Sequence, residues 1–219
     1  MTETSKTQKP TFYDLDLSDE MLVALKRAGY EYPTEIQAAL IPLALDGGDV
    51  LGQARTGTGK TASFVIPILE QAALPDEIPG VQALILVPTR ELAVQVNDEV
   101  EKLSYGLDLP CVAIYGGKPI KAQIDKLRRG ASIVVGTPGR VLDHMARGTL
   151  DLTDLWCVVL DEADRMLDIG FRPDIEKILR RCPTDDRQTL LLSATVPPEI
   201  QRLAEKYMKN PQVVNCSPQ

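Results

Sequence analysis

The segment ARTGTGKT, residues 54–61, follows an apolar run of strand length and opens an amphipathic segment. It fits the phosphate-loop pattern GxxxxGK[ST] except at its first position, where Ala54 replaces glycine. Gly57 and Gly59 allow backbone N–H groups to face a phosphate, and a helix start adds a partial positive charge. A glycine-rich turn between strand and helix is the structural alternative. The spacing favours a phosphate loop.

The last two side chains of this segment supply further contacts for a bound nucleotide. Lys60 is placed to reach the β- and γ-phosphates, and the Thr61 hydroxyl is placed to ligate Mg²⁺. The segment therefore predicts a site for a nucleotide with its magnesium ion. The nucleotide-binding residues predicted here are Ala54, Arg55, Thr56, Gly57, Thr58, Gly59, Lys60 and Thr61.

Seven apolar runs of strand length alternate with amphipathic segments along the chain. Most runs are continuously apolar, which is typical of strands covered on both faces of a parallel sheet. The chain is therefore predicted to be an α/β protein with helices on both faces of a mainly parallel sheet. Pro67 predicts a kink or a break in the third amphipathic segment. The runs are DVLGQ, ALILV, CVAIY, SIVVG, WCVVL, TLLLS and QVVN, and the amphipathic segments are 18–28, 34–45, 60–72, 91–103, 118–129, 173–181 and 197–208.

Polar or glycine-rich residues follow six of the seven apolar runs. In an open α/β sheet, ligands bind outside the carboxyl ends of the strands. Six such signals on one edge of the predicted sheet are more than chance explains, so they indicate one extended functional site. In chain order they are ARTGTGKT, PTREL, a glycine pair at 116–117, TPGR, DEAD and SAT.

The run WCVVL leads directly into the acidic segment DEAD, residues 161–164. An acidic strand end is where phosphate-loop enzymes hold magnesium through a carboxylate. Asp161 is predicted to hold the ion, and Glu162 is predicted to orient and deprotonate an attacking water. Acidic residues in a first helical turn also stabilise the helix dipole without any ligand. The phosphate loop favours the catalytic interpretation.

Three basic residues lie at the starts of predicted helices, where a cation opposes the helix dipole. Lys60 has the nucleotide phosphates as its partner, but Arg90 of PTREL and Arg140 of TPGR need another anion. A nucleic-acid backbone would supply that anion without any reading of sequence. The alternative is that the two arginines are solvated and pair with the nearby Glu91 and Asp143.

The segment YEYPTEIQ, residues 30–37, combines a helix start with a candidate base contact. Thr34 and Gln37 have the spacing of a capping box. The amide of Gln37 also offers a donor and an acceptor that match N6 and N7 of adenine. A phosphate loop ignores the base, so Gln37 is the best candidate for selecting ATP. Glutamate also serves in a capping box, so Gln37→Glu is expected to keep the melting temperature while the preference for ATP falls.

The segment SAT ends another strand with two hydroxyl groups, those of Ser193 and Thr195. These hydroxyls are predicted to hydrogen-bond Asp164, which would link the nucleotide site to the rest of the edge. The alternative is an N-cap for the helix that follows Pro197, and both arrangements are compatible.

Composition limits the class of protein. A net charge of −7 argues against a surface coated with basic residues, so any nucleic-acid contact is expected to be local. The chain has no apolar run of membrane-span length and no signal peptide, and residues 1–11 are expected to form a flexible tail. Four widely spaced cysteines without a CxxC pair favour a reducing, cytoplasmic setting. His144 lacks a partner at ligand or triad spacing and is expected to be an ordinary helix residue.

The ordered set GYEYPTEIQ, ARTGTGKT, PTREL, GG, TPGR, DEAD and SAT resembles the DEAD-box RNA helicases, specifically their N-terminal RecA-like domain. The resemblance extends from about Phe12 to Thr195, and DEADRMLDIGF is similar to bacterial members. It implies a RecA-like phosphate-loop fold in a single domain over residues 12–219. It also implies that ATP and Mg²⁺ are cofactors and that RNA is bound through its backbone.

The resemblance implies a role for each matching residue. Lys60, Asp161 and Glu162 match the catalytic residues, and Thr61 and Asp161 match the magnesium ligands. Phe12 lies 17 residues before Gly29, as the isolated aromatic of the family does, and would stack on adenine. The RNA-facing matches are Pro88, Thr89, Arg90, Glu91, Gly116, Gly117, Thr137 and Arg140. The matches to residues that couple hydrolysis to RNA binding are Asp164, Ser193 and Thr195.

The family also has a second RecA-like domain, which supplies arginine fingers and further RNA contacts and which is absent from these 219 residues. Arginine fingers contribute on the order of 10³ to 10⁵ in rate. The chain is therefore expected to bind ATP, to hydrolyse it very slowly and to unwind nothing alone. It is also expected to be a monomer. The leading function is an ATP-dependent RNA helicase, and the alternative is an ATP-dependent RNA clamp. A DNA helicase or another phosphate-loop ATPase is a third possibility, which the adenine motif and the DEAD spelling disfavour.

Overall fold

The computed structural model describes residues 8–218, in which seven parallel strands form one sheet between two layers of helices. The strand order across the sheet is β3-β4-β2-β5-β6-β1-β7. The predicted α/β class and all seven predicted strands are confirmed. The strands are β1 Val50–Gln53, β2 Ala83–Leu86, β3 Cys111–Ile114, β4 Ile133–Gly136, β5 Cys157–Leu160, β6 Gln188–Ser193 and β7 Gln212–Asn215.

Within the same described range, nine α-helices flank the sheet, preceded by a short 3-10 turn at Phe12–Leu15. Seven of the helices lie within two residues of the predicted amphipathic segments, and α6 and α7 begin at the TPGR and DEAD motifs. Residues 1–7 of the predicted flexible tail lie outside the described residues. The helices are α1 Asp19–Arg27, α2 Glu35–Leu45, α3 Lys60–Gln71, α4 Arg90–Leu103, α5 Ile120–Arg128, α6 Pro138–Ala146, α7 Ala163–Ile169, α8 Arg172–Arg181 and α9 Pro198–Tyr207.

The strand side chains alternate between two apolar cores, one on each face of the sheet. On β2, Ala83 and Ile85 join the core formed with α1 to α4, whereas Leu84 and Leu86 join the core formed with α6 to α9. All four side chains are fully buried. Burial on both faces explains why this strand is continuously apolar in sequence rather than alternating.

Of the predicted kink or break at Pro67, the break is wrong, and the kink stays a prediction. Helix α3 continues from Lys60 to Gln71 with Pro67 buried inside it. Proline cannot donate the usual backbone hydrogen bond to the carbonyl four residues earlier. The packing around it offsets that loss, because the neighbouring Phe64 and Ile68 are buried against the core shared with α2. Tertiary contacts therefore hold a helix that local propensity alone would interrupt.

The parallel sheet brings the six motifs to one edge, as the sequence predicts. Each motif follows one of β1 to β6, and the carboxyl ends of parallel strands lie at the same edge. The strand order also divides the motifs into two groups. The ends of β5, β6 and β1 carry DEAD, SAT and the phosphate loop, whereas the ends of β3, β4 and β2 carry the glycine pair, TPGR and PTREL. The two predicted functions of the edge therefore occupy separate halves of it.

Candidate functional site

The phosphate loop turns from β1 into α3 on two glycines in the left-handed region. Gly57 has a φ of 77° and Gly59 a φ of 83°. Gly59 also has no room for a side chain, because a Cβ there would lie 2.5 Å from Nε2 of Gln37 and 2.9 Å from Oγ1 of Thr34. Both glycines are therefore required by backbone conformation, and Gly59 is required by packing as well.

The start of the loop is fixed to the neighbouring strand. Ala54 is fully buried, and its N–H donates to the carbonyl of Ser193 at 3.1 Å. Further along, the Thr58 hydroxyl donates to the carbonyl of Arg55 at 2.6 Å, which closes the turn. The alanine that departs from the phosphate-loop pattern thus occupies a fully buried position next to β6.

Lys60 fits a site for an anion. It lies in the first turn of α3 and is 7 % exposed, and its ammonium has no hydrogen-bond partner within residues 8–218. A buried ammonium without a partner is costly, and the dipole at a helix start adds to that cost. A phosphate group at this point would offset both costs. The residues present therefore suit the polyphosphate of a nucleotide.

Asp161 lies directly after β5 and is 2 % exposed. Burial raises the pKa of its carboxyl to about 6, although the nearby Lys60 acts in the opposite direction and Glu162 adds to the rise. One oxygen accepts the N–H of Glu162 at 2.9 Å. A carboxylate held at such a cost suits a divalent cation, which would compensate its charge.

Glu162 lies in a strained backbone conformation next to Asp161. Its φ of 50° and ψ of 49° fall in the left-handed region, which glutamate rarely adopts and which is often found at functional sites. Its carboxylate pairs with Nη1 of Arg165 at 3.2 Å. Both acidic residues line a cleft of about 300 Å³, together with Lys60 and Thr61. The structure thus brings the predicted catalytic and metal-binding residues together in one cleft.

Asp164 connects the DEAD segment to SAT. Its Oδ2 accepts the N–H of Thr195 at 3.1 Å and the Thr195 hydroxyl at 2.9 Å, so the predicted hydrogen bond is confirmed. The Ser193 hydroxyl instead accepts the backbone N–H of Asp164 at 3.2 Å. Burial tends to raise the pKa of Asp164, but the hydrogen bonds from Thr195 and from the N–H of Arg165 outweigh it and lower that pKa.

Gln37 forms the predicted capping box and is only 1 % exposed. Its Oε1 accepts the N–H of Thr34 at 2.9 Å, and its Nε2 donates to the carbonyl of Gly59 at 3.1 Å. Each end of the amide therefore makes one hydrogen bond within the protein, and contact with adenine would use the second N–H and the second lone pair of the same amide. Base recognition by Gln37 stays a prediction. The contact with Gly59 is one that sequence spacing does not reveal.

Phe12 packs into the protein rather than presenting an open ring. It is 4 % exposed and contacts Tyr30 edge to face, with the ring centroids 6.1 Å apart and the planes at 81°. Both rings line a cleft of about 510 Å³, and Tyr30 also lines the cleft at the phosphate loop. Stacking of Phe12 on a base stays a prediction. The contact of Phe12 with Tyr30, which lines both clefts, is compatible with such stacking.

The PTREL segment starts α4 at the other half of the edge. Thr89 is the N-cap, since its hydroxyl accepts the N–H of Leu92 at 3.3 Å. Arg90 is exposed, and its guanidinium carbon lies 5.4 Å from the ring centroid of Tyr115. Glu91 is exposed and Pro88 is buried. Arg90 is thus available to an external anion, whereas Pro88 is placed to shape the turn.

Arg140 is more enclosed than the sequence suggests, with 16 % of its side chain exposed. Its Nη1 donates to the carbonyl of Lys118 at 3.0 Å and to Oε1 of Gln123 at 3.2 Å. The carboxylate of Asp143, proposed as its alternative partner, is 4.0 Å from Nε. Arg140 therefore joins the start of α6 to the loop that carries the glycine pair. Sequence reasoning missed Gln123, whose only signal is a polar residue on the inner face of α5.

The remaining RNA-facing candidates lie at the same half of the edge. Gly116 and Gly117 are exposed, and Gly117 has a φ of 81°. Thr137 is half-buried at the N-cap of α6. All eight candidates thus lie at or next to the ends of β2, β3 and β4, although their contact with RNA stays a prediction.

Residues 8–218 contain neither a membrane-spanning helix nor a preformed metal cluster. In that range, no helix is long and apolar enough to cross a membrane. Nor does any group of three or more His, Cys, Asp or Glu side chains there form a ready metal cluster. Magnesium bound with a nucleotide takes one or two protein ligands besides phosphate and water, so Thr61 and Asp161 are a sufficient donor set.

The fold and the cleft define a class of protein. A parallel sheet with a phosphate loop after β1 and an acidic strand end after β5 is a phosphate-loop nucleotide-binding domain. Comparison with known proteins makes the class more specific. The family model described as DEAD/DEAH box helicase matches residues 34–203, and the chain belongs to this family.

Named relatives share about half of the residues over most of this chain. The ATP-dependent RNA helicase CshA of Limosilactobacillus reuteri is 50 % identical over 203 residues, which cover 93 % of this chain and 40 % of the relative. A probable ATP-dependent RNA helicase of Methanocaldococcus jannaschii is 54 % identical over 198 residues, which cover 90 % of this chain and 53 % of the relative. The chain thus spans about half or less of the length of these relatives.

Solved structures confirm the RecA-like helicase-domain fold. The crystal structure of a DEAD box protein from Methanococcus jannaschii matches with a TM-score of 0.89 at 50 % identity, over 94 % of this chain and 56 % of that one. A hypothetical ATP-dependent RNA helicase from Sulfolobus tokodaii matches with a TM-score of 0.83 at 39 % identity, over 91 % of this chain and 57 % of that one.

The buried amide of Gln37 leads to a prediction that corrects the sequence-based expectation for Gln37→Glu. The carboxylate keeps the acceptor for Thr34 but loses the donor to Gly59, and it places a buried charge beside that carbonyl. The melting temperature is expected to fall by several degrees, because such a loss costs about 1–3 kcal/mol. Gln71→Glu is the control, since Gln71 also donates to backbone carbonyls but is exposed. An unchanged melting temperature for Gln37→Glu in a thermal denaturation series would contradict the prediction.

Asp161→Asn is expected to stabilise the nucleotide-free chain at alkaline pH. The folded pKa of Asp161 lies above its ordinary value, so the folded state binds this proton more tightly than the unfolded chain does. Ionisation above about pH 6 therefore costs stability that an amide does not incur, on the order of 2 kcal/mol. Urea denaturation should show this gain at about pH 8 and a smaller one at about pH 5.

Asp151→Asn provides a control of opposite sign for Asp161→Asn. Asp151 is exposed, and hydrogen bonds from Thr153 lower the pKa of its carboxyl. Its substitution should leave stability unchanged or reduce it. A stability loss in Asp161→Asn at alkaline pH would show that the buried carboxylate is stabilising and would contradict the prediction.

Proposed function

We propose that residues 12–219 are one RecA-like domain, the ATP- and RNA-binding N-terminal half of an ATP-dependent RNA helicase. The observation that supports this most directly is the buried, unpartnered ammonium of Lys60 beside the buried carboxyl of Asp161. Such a pair of groups suits Mg²⁺ and polyphosphate. Membership of the DEAD/DEAH box family and the names of the relatives support ATP as the nucleotide and RNA as the polymer.

The residues of the cleft have different proposed roles in ATP hydrolysis. Lys60 and the backbone N–H groups of the loop bind and orient the phosphates, and Thr61 and Asp161 would hold Mg²⁺. When bound, the ion withdraws negative charge from the phosphate oxygens. Glu162 accepts a proton from the attacking water. Because Arg165 pairs with Glu162, the carboxylate has to leave that contact or share it when the water is activated.

SAT connects the phosphate loop to the DEAD segment within the nucleotide-binding half of the edge. Thr195 is hydrogen-bonded to Asp164 of the DEAD segment, and Ala54 of the phosphate loop is hydrogen-bonded to Ser193. A displacement at the phosphates therefore reaches SAT from two sides. We propose that this segment communicates the state of the nucleotide to the RNA-facing surface.

We propose that RNA binds along the ends of β2, β4 and β3. Arg90 is exposed there, and the glycine pair leaves the protein backbone accessible. Arg140 joins the loop of the glycine pair to α6. Such contacts grip a backbone without reading its sequence. A second RecA-like domain of the whole protein would close over this surface and supply arginine fingers. We further propose that the chain is a monomer and that it works in a reducing, cytoplasmic setting. The free thiols of all four cysteines support the reducing setting.

Lys60→Met tests the nucleotide site in the 219-residue chain. The substitution removes the ammonium and keeps the apolar stem, so the affinity for a fluorescent ATP analogue with Mg²⁺ is expected to fall at least about 100-fold. The melting temperature should hold or rise, because an unpaired buried charge is removed. Lys177→Met, at an exposed position of α8, is the control. Equal affinity in Lys60→Met and the unsubstituted chain would remove Lys60 from the site.

Joining this chain to a second RecA-like domain tests the helicase function. The two-domain protein is expected to hydrolyse ATP in response to RNA more than to DNA and to separate short duplexes, while the 219 residues alone do neither. Glu162→Gln in the two-domain protein is expected to trap ATP and RNA together, because binding survives and water activation does not. Prolonged RNA retention without duplex separation would favour a clamp. Robust RNA-stimulated turnover by the 219 residues alone would refute the need for the second domain.

A further inference from the structure

A buried polar network lies beneath the RNA-facing half of the edge. Gln123 of α5 is 6 % exposed, and His144 of α6 is fully buried. Nε2 of Gln123 donates to the carbonyl of Tyr115, at the end of β3, at 2.9 Å. Its Oε1 lies 3.2 Å from Nη1 of Arg140 and 3.1 Å from Nε2 of His144. One amide therefore contacts a strand end and two side chains of α6.

The partners of the Gln123 amide fix its orientation. Arginine only donates, so the amide oxygen has to face Arg140, and the carbonyl of Tyr115 requires the NH₂ group. His144 must then carry its proton on Nε2 to donate to the same oxygen. Its Nδ1 lies 2.8 Å from the hydroxyl of Thr149, which can donate to it. Burial, and next Arg140, lower the pKa of His144, which agrees with a neutral ring.

Arg140 extends the network to the glycine-pair loop. The nitrogen that reaches Gln123 also donates to the carbonyl of Lys118 at 3.0 Å, one residue after Gly117. The loop itself offers little packing, because a Cβ at Gly116 or Gly117 would meet no atom within 4 Å. Loop and α6 are therefore held together through Arg140, and Arg140 is held by Gln123.

We propose that Gln123 is a positioning residue for RNA binding, acting through Arg140 and the loop at 116–118. This inference rests on the proposed RNA-binding function. The phosphates of a nucleic-acid backbone are regularly spaced, so groups held at a fixed separation bind adjacent phosphates without an ordering cost at the moment of binding. Gln123 is buried and does not touch the RNA. It fixes the distance between the loop and the start of α6.

The chain contains a matched control for Gln123. Gln82 is fully buried and also makes three hydrogen bonds, accepting from the N–H of Ala73 at 2.9 Å and Nε1 of Trp156 at 3.2 Å and donating to the carbonyl of Ala73 at 2.7 Å. It precedes β2 and therefore lies at the amino edge of the sheet, opposite the motifs. Loss of this amide should affect stability without affecting the RNA surface.

The experiment compares variants of the 219-residue chain for binding to a fluorescent oligouridine at low salt and to a fluorescent ADP analogue. Gln123→Met removes all three hydrogen bonds at similar volume, and RNA affinity is expected to fall about fivefold while nucleotide affinity stays unchanged. Gln123→Glu keeps both acceptor contacts and loses only the donor to Tyr115, so its RNA affinity should be intermediate. Gln123→Glu also provides the test of the inference if Gln123→Met does not fold. Gln82→Met should lower the melting temperature and leave RNA affinity unchanged.

A second measurement reports the position of the arginine itself. The side-chain Nε–H resonance of Arg140 in an NMR spectrum should shift or broaden in Gln123→Met and remain unchanged in Gln82→Met. Equal RNA affinity for Gln123→Met and the unsubstituted chain would overturn the inference and leave RNA binding intact. If Gln82→Met loses as much RNA affinity as Gln123→Met does, the loss reflects reduced stability in general and the inference is overturned. Failure of the unsubstituted chain to bind oligouridine would overturn the proposed RNA function as well.

Discussion

The parallel pairing of β1, β6 and β5 is the constraint on which the site depends. It places Gln53 beside Ser193, and Leu160 beside Leu191. The phosphate loop, SAT and DEAD thereby leave the sheet as neighbours, with SAT in the middle. The hydrogen bond from Thr195 to Asp164 is possible only in this order. Antiparallel or shuffled strands would carry the same motifs without bringing them together.

The nucleotide cleft holds groups that the folded chain alone does not favour. The ammonium of Lys60 is buried without a hydrogen-bond partner, and Glu162 has a left-handed backbone conformation. Burial raises the pKa of Asp161, so ionisation of its carboxyl costs stability. The apolar cores on both faces of the sheet provide the stability that tolerates this. The proposed binding of phosphate and a divalent cation would compensate the charges of Lys60 and Asp161. The site is therefore preorganised at the expense of the free domain.

Two glutamines show how buried amides link separate parts of the edge. Gln37 joins the helix cap at Thr34 to the phosphate loop, and Gln123 joins the end of β3 to Arg140. Glutamine suits this task because it donates and accepts at once without introducing a charge into the interior. The amide of Gln37 lies beneath the half of the edge that carries the phosphate loop. The amide of Gln123 lies beneath the half that carries the glycine pair, TPGR and PTREL. Neither role appears in a short motif, since each depends on partners distant in sequence.

The sequence by itself determined the seven strands, the parallel class and the six motifs at strand ends, because apolar runs, helix starts and glycine turns are local signals. It did not determine the strand order, the continuity of α3 through Pro67, or the enclosure of Gln37 and Arg140. Those depend on which distant groups meet: packing outweighs the lost hydrogen bond at Pro67, and carbonyls from other segments engage the two side chains. Tertiary structure alone decided these contacts, because their energies arise between residues that spacing along the chain does not relate.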